Sequence, residues 1–373
     1  MLMNYIIKKD IDLIYELFKT FYYLANEEEE IESFNKTLDK ESLDKDKYKK
    51  NNLKSFLKFI DKFKKQNTIP MDRILFYFKD IKDGDSKTNN FLANIFLVNL
   101  DLEELHAVKE RILSFTDDEL ENNLIRDITL FLEDIFDSNS LKSINSKESL
   151  LKFLISNSKN ISSEIKWNLT VLLEDSRNHL LELISIIEDS LEIFKSTFTI
   201  FDKDKEIFIK ELNSTFKKDP DYLTSLFGFK LDNNSTLNIY PSMINFKSID
   251  ITYNEERISS IPSRYNCYFG YKFKELIALT DGKKNESELL QDKLKVLGDK
   301  SKYEILKMLK LGPMYGQQIA EKLSLTTATI SYHMNSLVLC GLVKLNKVDN
   351  KIYYSANKDE VNSFLKKLGE ELS

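Results

Sequence analysis

The chain has 373 residues, 42% hydrophobic and 31% charged, with a formal net charge of −6. That length leads to an expectation of two or three domains, and the apolar fraction and evenly mixed charge exclude a disordered chain. The absence of any run of about eighteen apolar residues excludes a membrane-spanning helix, and two cysteines, Cys267 and Cys340, exclude a disulfide framework.

Residues Met1 to Asp10 lack the apolar stretch and small-residue cleavage site of an export signal, so a cytoplasmic protein is expected. Ile11, Ile14, Phe18 and Phe21 then recur at helical spacing. The charged stretch Glu27 to Lys50 reads as an exposed helix face or a loop, with a mobile segment as the alternative. Between Gly84 and Pro220 there is neither glycine nor proline, so this region is expected to be mostly helix. Leu120, Leu124, Ile128, Phe131 and Ile135 fall on one face; Leu169, Leu172, Leu180, Leu183, Ile187, Leu191 and Phe194 continue the pattern on one longer helix. His179 is expected on a solvated helix face.

After Pro220 the pattern changes to β-branched and aromatic clusters. Leu237–Tyr240, Ile249–Tyr253 and Tyr265–Phe273 read as short strands, and Thr280–Ser287 as a linker. The expected fold is therefore mainly α with a small β element: a helical domain over 1–230, a β-rich segment and linker over 231–284, and a compact module over 285–373.

That module has clear punctuation. A helix ends at Gly298; Asp299 or Ser301 caps the next, with Ser301 and Glu304 at capping-box spacing. Ile305, Leu306 and Leu309 form its buried stripe, and Gly312-Pro313 ends it. A short helix over Gly316 to Leu323 turns Ile319, Ala320 and Leu323 inward. After a tight turn, Thr326 N-caps a helix carrying Ile330, Met334 and Leu337 on one side, and Gly341 stands where a left-handed stop is wanted. Strands Leu342–Leu345 and Lys351–Ser355 flank an Asp349-Asn350 turn, and Asn357 to Leu368 is a final helix.

This order is the plan of a winged helix-turn-helix, whose second helix enters the DNA major groove. Thr327, Ala328, Ser331, Tyr332 and Asn335 then face away from the core and offer hydroxyls and an amide but no carboxylate. The wing lysines Lys344, Lys347 and Lys351 stand ready for phosphates. Gln291 to Ser373 holds 13 lysines against 9 acidic residues, which leaves about −10 on the rest of the chain. Double-stranded DNA is the expected partner.

The segments Lys295-Val-Leu-Gly-Asp-Lys-Ser-Lys-Tyr-Glu-Ile-Leu, Gln318-Ile-Ala-Glu-Lys-Leu, Thr327-Ala-Thr-Ile-Ser-Tyr-His-Met-Asn-Ser-Leu and Gly341-Leu-Val resemble the ArsR family of winged-helix repressors. The resemblance covers about the last fifth of the chain. It implies a homodimer paired through terminal helices, and DNA contact by Thr327, Thr329, Ser331, Tyr332, His333 and Asn335; Gln317 and Thr326 join that set. His333 has packing against the first helix as its alternative role.

Many relatives sense metals through cysteines before the recognition helix, or through His and carboxylates in the last helix. Here the first position reads Met314-Tyr-Gly-Gln-Gln-Ile-Ala and the last helix has no histidine, so no metal and no cofactor are expected. No phosphate-binding Gly-rich loop, nucleophile elbow or metalloprotease motif is present, and no catalytic residue is assigned. The expected function is a DNA-binding transcription regulator, a repressor, modulated by its helical domain through an unknown small-molecule effector, a partner or dimer geometry. The alternative is a protein-interaction scaffold whose winged helix binds protein.

Overall fold

The computed structural model describes residues 5–40, 43–80, 91–93, 102–132, 138–157, 163–220, 222–223, 236–253, 265–281, 286–323, 330, 333–334, 336–338, 340–348 and 351–372. A short strand, β1 (Tyr5–Ile7), precedes α1 (Leu13–Ala25), which Asp12 caps by accepting the N–H of Tyr15 at 3.0 Å. Ile14, Leu17, Phe18 and Phe21 make the buried face of α1.

The charged stretch that follows is helical. It forms α2 (Glu27–Lys40) and α3 (Lys45–Asn52), which bury Phe34, Leu38 and Tyr48. Charge lies on the outer face, where Glu27 pairs with Lys64, Glu29 with Lys79 at 2.9 Å, and Glu30 with Lys247 at 2.7 Å. Phe34 and Leu38, four apart on α2, and Tyr48 on α3 anchor these helices to the core.

Helices α4 (Lys54–Gln66), α5 (Met71–Phe78), α6 (Leu102–Ser114), α7 (Asp117–Leu132), α8 (Lys147–Ser156), α9 (Ser163–Glu174), α10 (Ser176–Phe198) and α11 (Asp202–Lys218) complete the body. Leu120, Leu124 and Ile128 are buried on α7; Ile135 and the side chain of Phe131 lie outside the described residues. The long helix expected through Leu169 to Phe194 is two helices, α9 and α10, interrupted at Asp175. Period alone cannot reveal such a break, because both pieces present leucines to the same core.

His179 is not on a solvated face. Its Nδ1 lies 3.1 Å from the Tyr77 hydroxyl, its ring stacks on Phe76 with centroids 5.2 Å apart, and burial lowers its pKa. The Tyr77 hydroxyl donates to Glu182 at 2.6 Å, and Arg73 pairs with the same carboxylate.

The small β element forms one sheet with the start of the chain. Strands β2 (Leu237–Ser242), β3 (Ile249–Tyr253) and β4 (Tyr265–Gly270) assemble in the order β1-β2-β4-β3, with β1, β2 and β4 parallel and β3 antiparallel to β4. The third strand ends at Gly270, short of the expected Phe273, which instead begins α12 (Phe273–Asp281). Leu237, Ile239, Cys267 and Phe269 pack against Phe208, Leu212 and Phe216 of α11. On the opposite face Tyr15 stacks on Tyr268 with ring centroids 3.5 Å apart, and Tyr268 donates to Asp12 at 2.9 Å. Met243, Ile244, Phe246 and Leu276 join the core of the helices.

A separate core begins at Val296. Around it stand α13 (Glu286–Leu297), α14 (Lys300–Leu311), β5 (Met314–Tyr315), α15 (Gly316–Leu323), β6 (Val343–Val348), β7 (Lys351–Ala356) and α16 (Lys358–Leu372).

Candidate nucleic-acid interface

Among the described residues, the helix stops and starts of the module follow from local chemistry. Asp299 is the N-cap of α14, its Oδ1 accepting the N–H of Lys302 at 2.9 Å; Ser301 lies inside the helix, and the capping box expected from Ser301 and Glu304 does not form. Two cap-competent residues stand two apart, and the one with extended backbone takes the position. The backbone N–H of Lys302 holds the Asp299 carboxyl below the usual range, and the charges of Lys302 and His333 add to this.

Ile305, Leu309, Ile319 and Ala320 are buried, with Leu306 and Leu323 packed at the edge of the core. Residues 330, 333–334 and 336–338 are helical, and Ile330, Met334 and Leu337 are completely or almost completely buried. This helix ends in a Schellman motif. Gly341 has φ +73°, its N–H donates to Val338 O at 2.8 Å, and the Leu342 N–H donates to Leu337 O at 3.0 Å. The Asn357 amide closes the turn by donating to the Gly341 carbonyl at 2.8 Å.

The wing pairs Val343 with Ala356 through Val348 with Lys351, so only 349–350 connect the two strands. Both strands are longer than expected. A third strand, β5, adds Met314 opposite Tyr354 and Tyr315 opposite Tyr353. Sequence reasoning missed β5 because two residues after Gly-Pro carry no periodicity and their partners lie far along the chain; Tyr315 faces Tyr353 with 5.7 Å between ring centroids.

The expected contact residues are unevenly placed. Thr326, Thr327, Thr329, Ser331, Tyr332 and Asn335 lie outside the described residues, as do the side chains of Lys347 and Lys351. Lys344 is exposed on β6 and Gln317 is half-buried in the first turn of α15. His333 is 8% exposed, its Nδ1 3.9 Å from Asp299 Oδ1. Among the described residues no group of three His, Cys, Asp or Glu side chains converges as a metal site would require, and no helix is long and apolar enough to cross a membrane.

Helix, helix and β-hairpin around one core make the C-terminal segment a winged helix-turn-helix. Residues 299–344 match the model of the family described as "Bacterial regulatory protein, arsR family", and this segment is an ArsR-family helix-turn-helix. The arsenical resistance operon repressor of Staphylococcus aureus is 39% identical over 64 residues, which cover 17% of this chain and 62% of that protein. Its counterpart from Staphylococcus xylosus is 39% identical over 66 residues, covering 18% of this chain and 64% of the relative. The chain thus spans less than two thirds of the length of these relatives. An ArsR-like transcriptional regulator from Rhodococcus sp. RHA1, of known structure, is 30% identical, with 22% of this chain and 77% of that chain covered and a TM-score of 0.21.

Proposed function

We propose that this protein is a DNA-binding transcription regulator, a repressor, that reads an operator with residues 285–373. The helical domain (1–230) modulates binding, and the β-rich segment with its linker (231–284) joins it to the reading module. The observation that carries this reading is the buried stripe Ile330, Met334 and Leu337 on a helix closed at Gly341. The reading set we propose is Thr327, Ser331, Tyr332 and Asn335, whose hydroxyls and amide are of the kind that meets base edges. Thr326, Thr329 and Gln317 complete the proposed contact set, with Lys344, Lys347 and Lys351 of the wing steadying it on phosphates.

A homodimer suits a palindromic operator. Helices α13 and α16 are its proposed seam: they are tied by the Lys293–Glu360 ion pair and leave Leu294, Leu365 and Leu372 exposed. The body gives the signal, an unidentified effector or partner, a place to act.

Alanine at Ser331 and Tyr332 is expected to weaken operator binding by about 1–3 kcal/mol per lost base contact. Lys344→Ala is expected to weaken binding to every sequence alike and to lower the slope of log K against log salt by roughly 0.9. Anisotropy titrations over a salt series check both; operator affinity unchanged in the Ser331 and Tyr332 variants would show that the reading face lies elsewhere.

A further inference from the structure

The recognition helix must stand at a fixed angle on the helices behind it, because base contacts tolerate little displacement. Among the described residues, one polar side chain of that helix, His333, is buried against its support. Only 8% of the residue is exposed, between the core residues Ile330 and Met334, and Nδ1 lies 3.9 Å from Oδ1 of Asp299. Asp299 is itself committed. Its Oδ1 caps α14 through the Lys302 N–H, and Oδ2 lies 3.9 Å from the Lys302 ammonium, whose side chain is only 11% exposed. The N-terminus of α14 and the recognition helix therefore meet through one carboxylate.

We infer that His333 is a positioning residue for DNA reading, holding the recognition helix in register through Asp299, and is not a ligand of phosphate. This rests on the DNA-reading function proposed above. Nδ1 is buried on the side of the ring toward Asp299, so that nitrogen does not face a phosphate. At 3.9 Å the Asp299–His333 pair is an electrostatic contact, not a hydrogen bond; it links two helices that the surrounding leucine and isoleucine contacts would let slide. Leucine at 333 would preserve volume and lose the link. Asparagine can place an amide nitrogen near the position of Nδ1. Asp299→Asn keeps a sound N-cap while removing the charge, and so separates helix capping from the contact with His333.

The test is an anisotropy titration of the full chain against a duplex from its own upstream region and a scrambled duplex, over a salt series. For His333→Leu the preference for the upstream duplex is expected to fall about tenfold, the equivalent of one base contact. Affinity for the scrambled duplex and the salt slope are expected to stay as in the unmodified chain. His333→Asn should restore most of the preference. Asp299→Asn should reproduce the loss, and the double variant should be no worse than either single one. Should His333→Leu not fold, the two asparagine variants carry the comparison. Equal loss on both duplexes with a slope lower by about one would make His333 a phosphate ligand and overturn the inference. An unchanged preference in Asp299→Asn and His333→Leu would overturn it as well. If the unmodified chain itself prefers neither duplex, the DNA-reading function fails, and the role of His333 falls with it.

Discussion

Replacing Gly270 by alanine is expected to destabilise the body by about 3 kcal/mol or more, the upper range for overpacking a core. A Cβ built there would stand 2.4 Å from Asn245 O and 2.6 Å from the carbonyl carbon of Phe246, distances no side-chain carbon occupies. Both obstacles are backbone, and neither can swing away. The loop is pinned on three sides: Gly270 N–H donates to Ser248 O at 2.9 Å, Tyr271 N–H to Ser242 O at 3.0 Å, and Lys272 N–H to Phe246 O at 2.9 Å. Relief would require breaking this lattice where β4 passes into α12. Gly312→Ala is the control, since nothing lies within 4 Å of its Cβ position and its φ of 166° is extended backbone. Chemical denaturation of the two variants should show a large loss for the first and a change within about 0.5 kcal/mol for the second.

Glu16→Leu is expected to cost about 2–4 kcal/mol, because it orphans two buried donors. Glu16 is completely buried on α1, and its Oε2 accepts the N–H groups of Met243 at 3.1 Å and Ile244 at 2.9 Å. It thereby stitches the first helix to the turn after β2. Burial pushes its carboxyl from about 4.5 up to about 7, while hydrogen bonds from Ser242, Ile244 and Met243 pull the other way. The folded form therefore holds the proton more tightly than the unfolded chain does. Its contribution is complete below pH of about 4.5 and is lost as pH rises through about 7, a swing on the order of 3 kcal/mol. Nearby Asp250 does not share this behaviour: burial works to raise its carboxyl, but Lys19 at 2.7 Å and the Tyr15 hydroxyl hold it below the usual range. His179 and His333, both lowered by burial, give stability that falls as pH drops, so the Glu16 effect is read as a difference between variants. Glu16→Gln should flatten the pH dependence between about 4.5 and 7 relative to the unmodified chain. Identical pH profiles for the two would remove the proton from the account.

Much of the module from 285 onward was legible in the sequence because its signals are local. Gly298, Gly312-Pro313 and Gly341 end helices by backbone chemistry, and the spacing of Ile330, Met334 and Leu337 marks one buried face. What escaped depends on distant partners. Strand β1 is three residues long and pairs with Leu237, Asn238 and Ile239, a register no local pattern encodes. Glu16 interrupts an apolar stripe and acquires its meaning only from the turn at Met243 and Ile244. The choice of Asp299 over Ser301 as cap, and hence the contact with His333, depended on backbone geometry at residues equally suited by composition. The expectation that 327, 331, 332 and 335 read DNA rests on helical phase alone, and those residues lie outside the described ones.

The most direct test of a DNA-reading winged helix is a titration of the full chain with DNA from its own upstream region, at two salt concentrations and against excess random competitor. Tight binding that survives competitor and weakens steeply with salt is the predicted result. Binding no stronger than to random DNA, or indifferent to salt, would contradict the account and turn the module into a surface for protein.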